Sequence, residues 1–102
     1  MTTELRYLDF DYSEDTEGHG TFDAMASTTP EKTPEVKQEI AAVLAWAEAT
    51  FPHARGPLDE GATWDYDLQE TREENPRFDT VTLSLSGSAD FCAALREQFA
   101  LD

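Results

Sequence analysis

Leu8-Asp9-Phe10-Asp11-Tyr12 alternates large apolar side chains with aspartates, and Trp64-Asp65-Tyr66-Asp67-Leu68 repeats the pattern. Period-two alternation puts Leu8, Phe10 and Tyr12 on one side of an extended chain, with Asp9 and Asp11 on the other. Trp64, Tyr66 and Leu68 separate from Asp65 and Asp67 in the same way. A strand with one apolar and one charged face belongs to an antiparallel sheet that is covered on one side only. The two stretches therefore point to an α+β fold before the rest of the chain is considered.

Working outward from the first stretch, the alternation predicts a strand over residues 4–12. Ser13-Glu14-Asp15-Thr16-Glu17-Gly18-His19-Gly20 is polar and contains two glycines, so it reads as a hairpin loop. A second strand follows at about 21–28. Its facing is open, because either Phe22, Ala24 and Ala26 or Met25 can point to the core. Ser27 to Lys32 reads as a linker. Thr33 then looks like an N-cap, followed by Pro34 at the first helical position and Glu35 near the positive end of the dipole. Val36, Ile40, Val43, Leu44, Ala47 and Phe51 form one stripe at helical spacing, with Trp46 on its flank. Phe51 precedes Pro52 and is pushed out of the α region, which ends the helix near Thr50.

From the second stretch the same reading gives a strand at about 62–70, a hairpin loop at Glu73-Glu74-Asn75-Pro76, and a fourth strand at about 77–86. That fourth strand buries Val81, Leu83 and Leu85. Ser88 caps a last helix whose stripe is Phe91, Cys92, Leu95 and Phe99. The order is ββαββα in a single domain spanning residues 1–102, with two helices on one face of a four-stranded antiparallel sheet.

The two halves, about 4–52 and 62–101, read as a tandem repeat. Residues 8–23 slide onto 64–79 without a gap. Identical pairs are Asp9/Asp65, Asp11/Asp67, Glu14/Glu70, Glu17/Glu73, Phe22/Phe78 and Asp23/Asp79. The alignment predicts that Met25 and Ser27 face inward, as Val81 and Leu83 do, and that Phe22 and Phe78 lie on the open face. Two strand orders satisfy a twofold. In 2-1-3-4 the aspartate strands are central neighbours; in 1-2-4-3 they are the edges. Like charges on paired strands are destabilising and charged edges resist aggregation, which favours 1-2-4-3.

Composition narrows the function classes. The chain has 102 residues, 39% of them hydrophobic, with 22 Asp and Glu against 7 Lys and Arg, for a formal charge of −15. Such a field repels nucleic acid and anionic membrane and attracts cations and basic protein surfaces. The N-terminus lacks the basic and apolar regions of a signal peptide, and the lone Cys92 suits a reducing compartment, so a cytoplasmic setting is expected.

Asp9-Phe10-Asp11 resembles the Asp-x-Asp signature of haloacid-dehalogenase phosphatases. Those enzymes require a doubly wound parallel sheet and further basic motifs, which a ββαββα chain of this length does not provide. Asp9 to Glu17 also lacks the central glycine of a calcium-binding EF-hand loop. His19, His53 and Cys92 are too few and too scattered for a zinc site. Cys92 reads as core, and no cofactor and no catalytic residue are expected.

The leading expectation is a non-enzymatic binding module that receives a basic protein on a carboxylate-rich surface. Asp9, Asp11, Asp65, Asp67, Glu14, Glu17, Phe22 and Phe78 are its candidate residues. One alternative is a divalent-cation-dependent or ligand-binding enzyme that uses the open sheet face, with Asp9, Asp11, Asp65 and Asp67 as ligands. The other is a structural homodimer with no ligand.

Overall fold

A computed structural model describes residues 5–74 and 76–101. The elements are β1 (Asp11–Glu14), β2 (Gly20–Thr28), α1 (Thr33–Thr50), β3 (Trp64–Glu74), β4 (Arg77–Gly87) and α2 (Ala89–Phe99), with a short 3-10 turn at Leu58–Glu60. This is an α+β fold whose four strands form one antiparallel sheet in the order β1-β2-β4-β3. The favoured order is the observed one, so the aspartate-bearing strands are the two edges. The hydrophobic core lies between the sheet and the helices. Its largest fully buried side chains are Trp64, Phe22, Phe91, Leu83, Leu85 and Leu95.

Both helices follow their apolar stripes. In α1, Val36, Ile40, Val43 and Ala47 are buried, while Leu44, Trp46 and the C-cap residue Phe51 pack partly exposed against the core. Thr33 is not the N-cap: Lys32 holds that position without a side-chain cap bond. The Thr33 hydroxyl instead donates to the Thr29 carbonyl at 3.3 Å and to Asp79 Oδ2 at 3.0 Å. In α2, Ser88 is the N-cap and accepts from the Phe91 N–H at 3.3 Å, and Phe91, Cys92, Leu95 and Phe99 are buried. The Phe91 ring seats directly on Gly87, where any Cβ would collide with it. Phe91 also stacks on Trp64, with ring centroids 5.5 Å apart and planes 3° from parallel.

The first strand is shorter than its alternation predicts. Pairing begins only at Asp11, so Leu8 to Phe10 lie outside the sheet; Met1 to Glu4 lie outside the described residues. Backbone N–H groups need partners, and here they find a side chain. The Glu39 carboxylate of α1 accepts from the N–H groups of Arg6 at 2.7 Å, Tyr7 at 3.0 Å and Leu8 at 2.7 Å. Leu8 is still buried and Asp9 exposed, so the alternation is kept although the strand is not.

The facing of β2 is the reverse of what the repeat alignment predicts. Phe22, Ala24 and Ala26 are buried, whereas Met25 is 67% exposed. The register explains this, since Phe22 pairs with Leu85, Ala24 with Leu83 and Ala26 with Val81, all core-facing residues of β4. Directly paired residues share a face, so a shift of one position would expose all three. Phe22 is therefore a core residue and not a surface aromatic. It packs on Tyr12 with ring centroids 4.7 Å apart.

The two hairpins also differ. Glu14 pairs with Gly20 across a loop of residues 15–19, whereas Glu74 pairs with Arg77 across residues 75–76. Asn75, part of the expected loop, lies outside the described residues. Glu73 and Glu74 are strand, not loop. The pairing Asp11 with Asp23 has no equivalent in Asp67 with Asp79, because Asp67 pairs with Ser84. The ungapped alignment thus does not describe corresponding positions in the two hairpins.

Candidate functional site

The sheet face turned away from the helices presents short polar side chains in cross-strand rows. Pairing brings Asp11, Asp23, Ser84 and Asp67 into one row across all four strands. The adjacent row is Ser13, Thr21, Ser86 and Asp65. Hydroxyls tie β2 to β4 within such rows: Ser84 donates to Asp23, Thr21 Oγ1 lies 3.1 Å from Ser86 Oγ, and Thr80 donates to Ser27 Oγ at 2.9 Å. Met25, paired with Thr82 in the row next to the acidic one, is the most exposed large apolar side chain among the described residues.

Charge is segregated on this face. Strand positions there carry Asp11, Asp23, Asp65, Asp67 and Glu73, and none carries Lys, Arg or His. All seven basic residues of the chain, Arg6, Lys32, Lys37, Arg55, Arg72, Arg77 and Arg96, lie elsewhere. Most are held by local partners. Lys37 pairs with Glu70 at 3.0 Å, Arg77 with Asp79 at 3.3 Å and Arg72 with Asp79 at 3.7 Å. Arg55 reaches around the β3 edge to Asp65 at 3.6 Å. The Arg96 guanidinium lies 4.0 Å from the Tyr12 ring centroid, a cation–π contact.

The candidate residues named from sequence spread over this surface. Asp11 and Asp67 occupy the same row on opposite edges, about 14 Å apart by three strand spacings. That distance is too great for one ion to contact both, so the four aspartates do not converge. Asp9 is exposed ahead of β1, and Asp65 lies on β3. Glu14, exposed at the end of β1, accepts from the Tyr12 hydroxyl at 2.7 Å, and this bond is the main cause raising the Tyr12 pKa above its ordinary value. Glu17 is exposed in the β1–β2 loop. Phe78 is half-buried on the open face, opposite Glu73, while Phe22 is core.

Three features escaped the sequence reading. Asp23 belongs to the acidic row, and the alternation Phe22, Ala24, Ala26 would have placed it there had the repeat not been given priority. Asp15 organises its loop, accepting from the N–H groups of Glu17 at 2.8 Å and His19 at 2.9 Å, with His19 Nδ1 at 3.4 Å. The His19 N–H is the largest cause holding the Asp15 carboxyl below its usual range. Ligand atoms of Asp15, Glu17 and His19 lie within 4.8 Å of one another. The hydrogen bonds inside the loop account for that proximity.

Asp79 is the third feature. It anchors the start of α1 to the sheet, beside a cleft of about 240 Å³ lined in part by Thr33, Lys37, Glu70 and Arg72. Burial alone would raise its pKa, but the Thr33 hydroxyl and the guanidiniums of Arg77 and Arg72 outweigh burial and hold the carboxyl low. Buried Cys92 has its thiol pushed up by burial, which disfavours the nucleophilic thiolate.

No family model matches the chain, and comparison with curated proteins and solved structures likewise returned no match. No helix among the described residues is long and apolar enough to cross a membrane.

Proposed function

We propose that this protein is a small, non-enzymatic, cytoplasmic binding module that recognises a basic protein partner through its carboxylate-rich surface. One observation carries the reading: the open sheet face has five acidic strand positions and no basic one, although the chain contains seven basic residues. A charge imbalance that served only solubility would not need this sorting. Complementary fields accelerate encounter and reject acidic competitors, and they make association sensitive to salt.

The test is capture of a basic protein at low and high ionic strength by the wild type and by a variant with Asp9, Asp11, Asp65 and Asp67 changed to Asn. Salt and the four neutral substitutions should each weaken capture. A partner that stays bound through high salt and binds the variant equally well would refute the reading.

A further inference from the structure

We propose that the outer edge of β3 is where this partner docks, and that the docking element is an extended lysine- or arginine-rich segment that joins the sheet as a fifth strand. This rests on the basic-partner reading above and adds the place and the geometry. The sheet order leaves two edges, and only one of them is long. β1 offers four residues, whereas β3 offers eleven, roughly 36 Å of backbone at about 3.3 Å per residue.

The start of that edge is occupied. The Gly56 N–H donates to the Trp64 carbonyl at 3.0 Å, and the Trp64 N–H to the Ala54 carbonyl at 3.4 Å. Beyond Trp64, β3 has no backbone partner other than β4 among the described residues. Every residue from Asp67 to Glu74 is exposed. An edge of this kind displays unpaired N–H and C=O groups and is a template for another strand.

Its side chains select the occupant. Five carboxylates, Asp65, Asp67, Glu70, Glu73 and Glu74, oppose the single guanidinium of Arg72, for a net formal charge of −4 on β3. Alternation distributes these carboxylates to both faces, so a strand added alongside meets acid above and below the sheet. Asp67, Glu73 and Glu74 have no cationic partner among the described residues. A second copy of the chain would set −4 against −4 and is disfavoured. A strand carrying Lys or Arg finds carboxylates to pair with on whichever face its basic side chains take, and Leu68, 40% exposed, offers it an apolar contact.

The probe is the peptide Lys-Val-Lys-Thr-Lys-Val-Lys-Thr-Lys, compared with the same peptide N-methylated at alternate residues on its pairing edge. N-methylation keeps the charge and removes the donors. The unmodified peptide should bind at low salt and slow hydrogen exchange at β3 amides between Leu68 and Glu74. The methylated peptide should bind at least about tenfold more weakly, the loss of two or more net hydrogen bonds. Changing Glu73 and Glu74 together to Gln should weaken binding roughly threefold to tenfold, while removing the same charge from exposed positions off the sheet, with Glu31→Gln and Asp90→Asn, should leave it within about twofold. Equal binding of the two peptides would overturn the edge assignment and leave the basic-partner reading standing. Failure of both peptides to bind at low salt would overturn both.

Discussion

Leu8–Tyr12 and Trp64–Leu68 share one side-chain pattern and adopt different backbone arrangements. The second runs along β4 from its first residue and continues to Glu74. The first enters the sheet only at Asp11, and its Leu8 N–H, with those of Arg6 and Tyr7 just before it, bonds instead to the Glu39 carboxylate. The difference teaches that alternation specifies which side chains face the core, not which partner satisfies the backbone. It also gives the sheet two unequal edges, one short and preceded by a chain tied to α1, the other long and open.

The largest test of this contrast is Trp64→Ala. Trp64 is fully buried, stacks on Phe91 and donates through Nε1 to the Phe51 carbonyl at 3.4 Å. Its removal should cost about 3–5 kcal/mol in denaturant unfolding. A loss below about 1 kcal/mol would show that β3 is anchored by something else.

Glu39→Ala tests the other stretch. Charge-assisted bonds of this kind are each worth about 1.5–3 kcal/mol at most, and these are partly exposed, so a total loss of about 1–3 kcal/mol is expected. Amide exchange should speed up at Arg6 to Leu8 while β3 amides keep their rates. Unchanged exchange at Arg6 to Leu8 would remove Glu39 as the partner that holds these N–H groups.

Each hairpin also carries one carboxyl held below the ordinary range, Asp15 in the first and Asp79 in the second. A depressed folded-state pKa contributes stability that is fully present above the unfolded value, about 4 for aspartate, and is lost as pH falls through the folded value. Asp79→Asn should therefore lower the thermal midpoint at neutral pH, and the gap to the wild type should close on acidification. A gap that persists at low pH would mean that Asp79 acts through packing instead of charge.

The smallest effect is expected at Met25. Met25→Thr replaces an exposed side chain on a hydroxyl-rich face and should change stability by no more than about 0.5 kcal/mol. A loss of about 2 kcal/mol or more would restore the inward facing that the repeat alignment predicted.

Much of the fold was legible. The stripe Phe91, Cys92, Leu95 and Phe99 was read completely, because a helix repeats its own face and needs no distant partner to define it. Ser88 was recognisable as a cap for the same local reason. The edge positions of the aspartate strands followed from repulsion between like charges. The facing of β2 was not legible, since Phe22, Ala24 and Ala26 on one side and Met25 on the other are all apolar, and Leu85 paired with Phe22 decides between them. Of the candidate surface, Asp11, Asp65 and Asp67 were found by alternation. Asp23 was lost with the facing of its strand, and Phe22 was gained wrongly.

By itself the sequence determined the class of elements, their order, both helix stripes and the strong negative charge, because each depends on local periodicity or on simple counting. The tertiary structure alone decided register, the late start of β1, the different hairpins and the long free edge of β3. Those features depend on which backbone groups meet across tens of residues, and a residue's own neighbours in sequence do not specify that meeting.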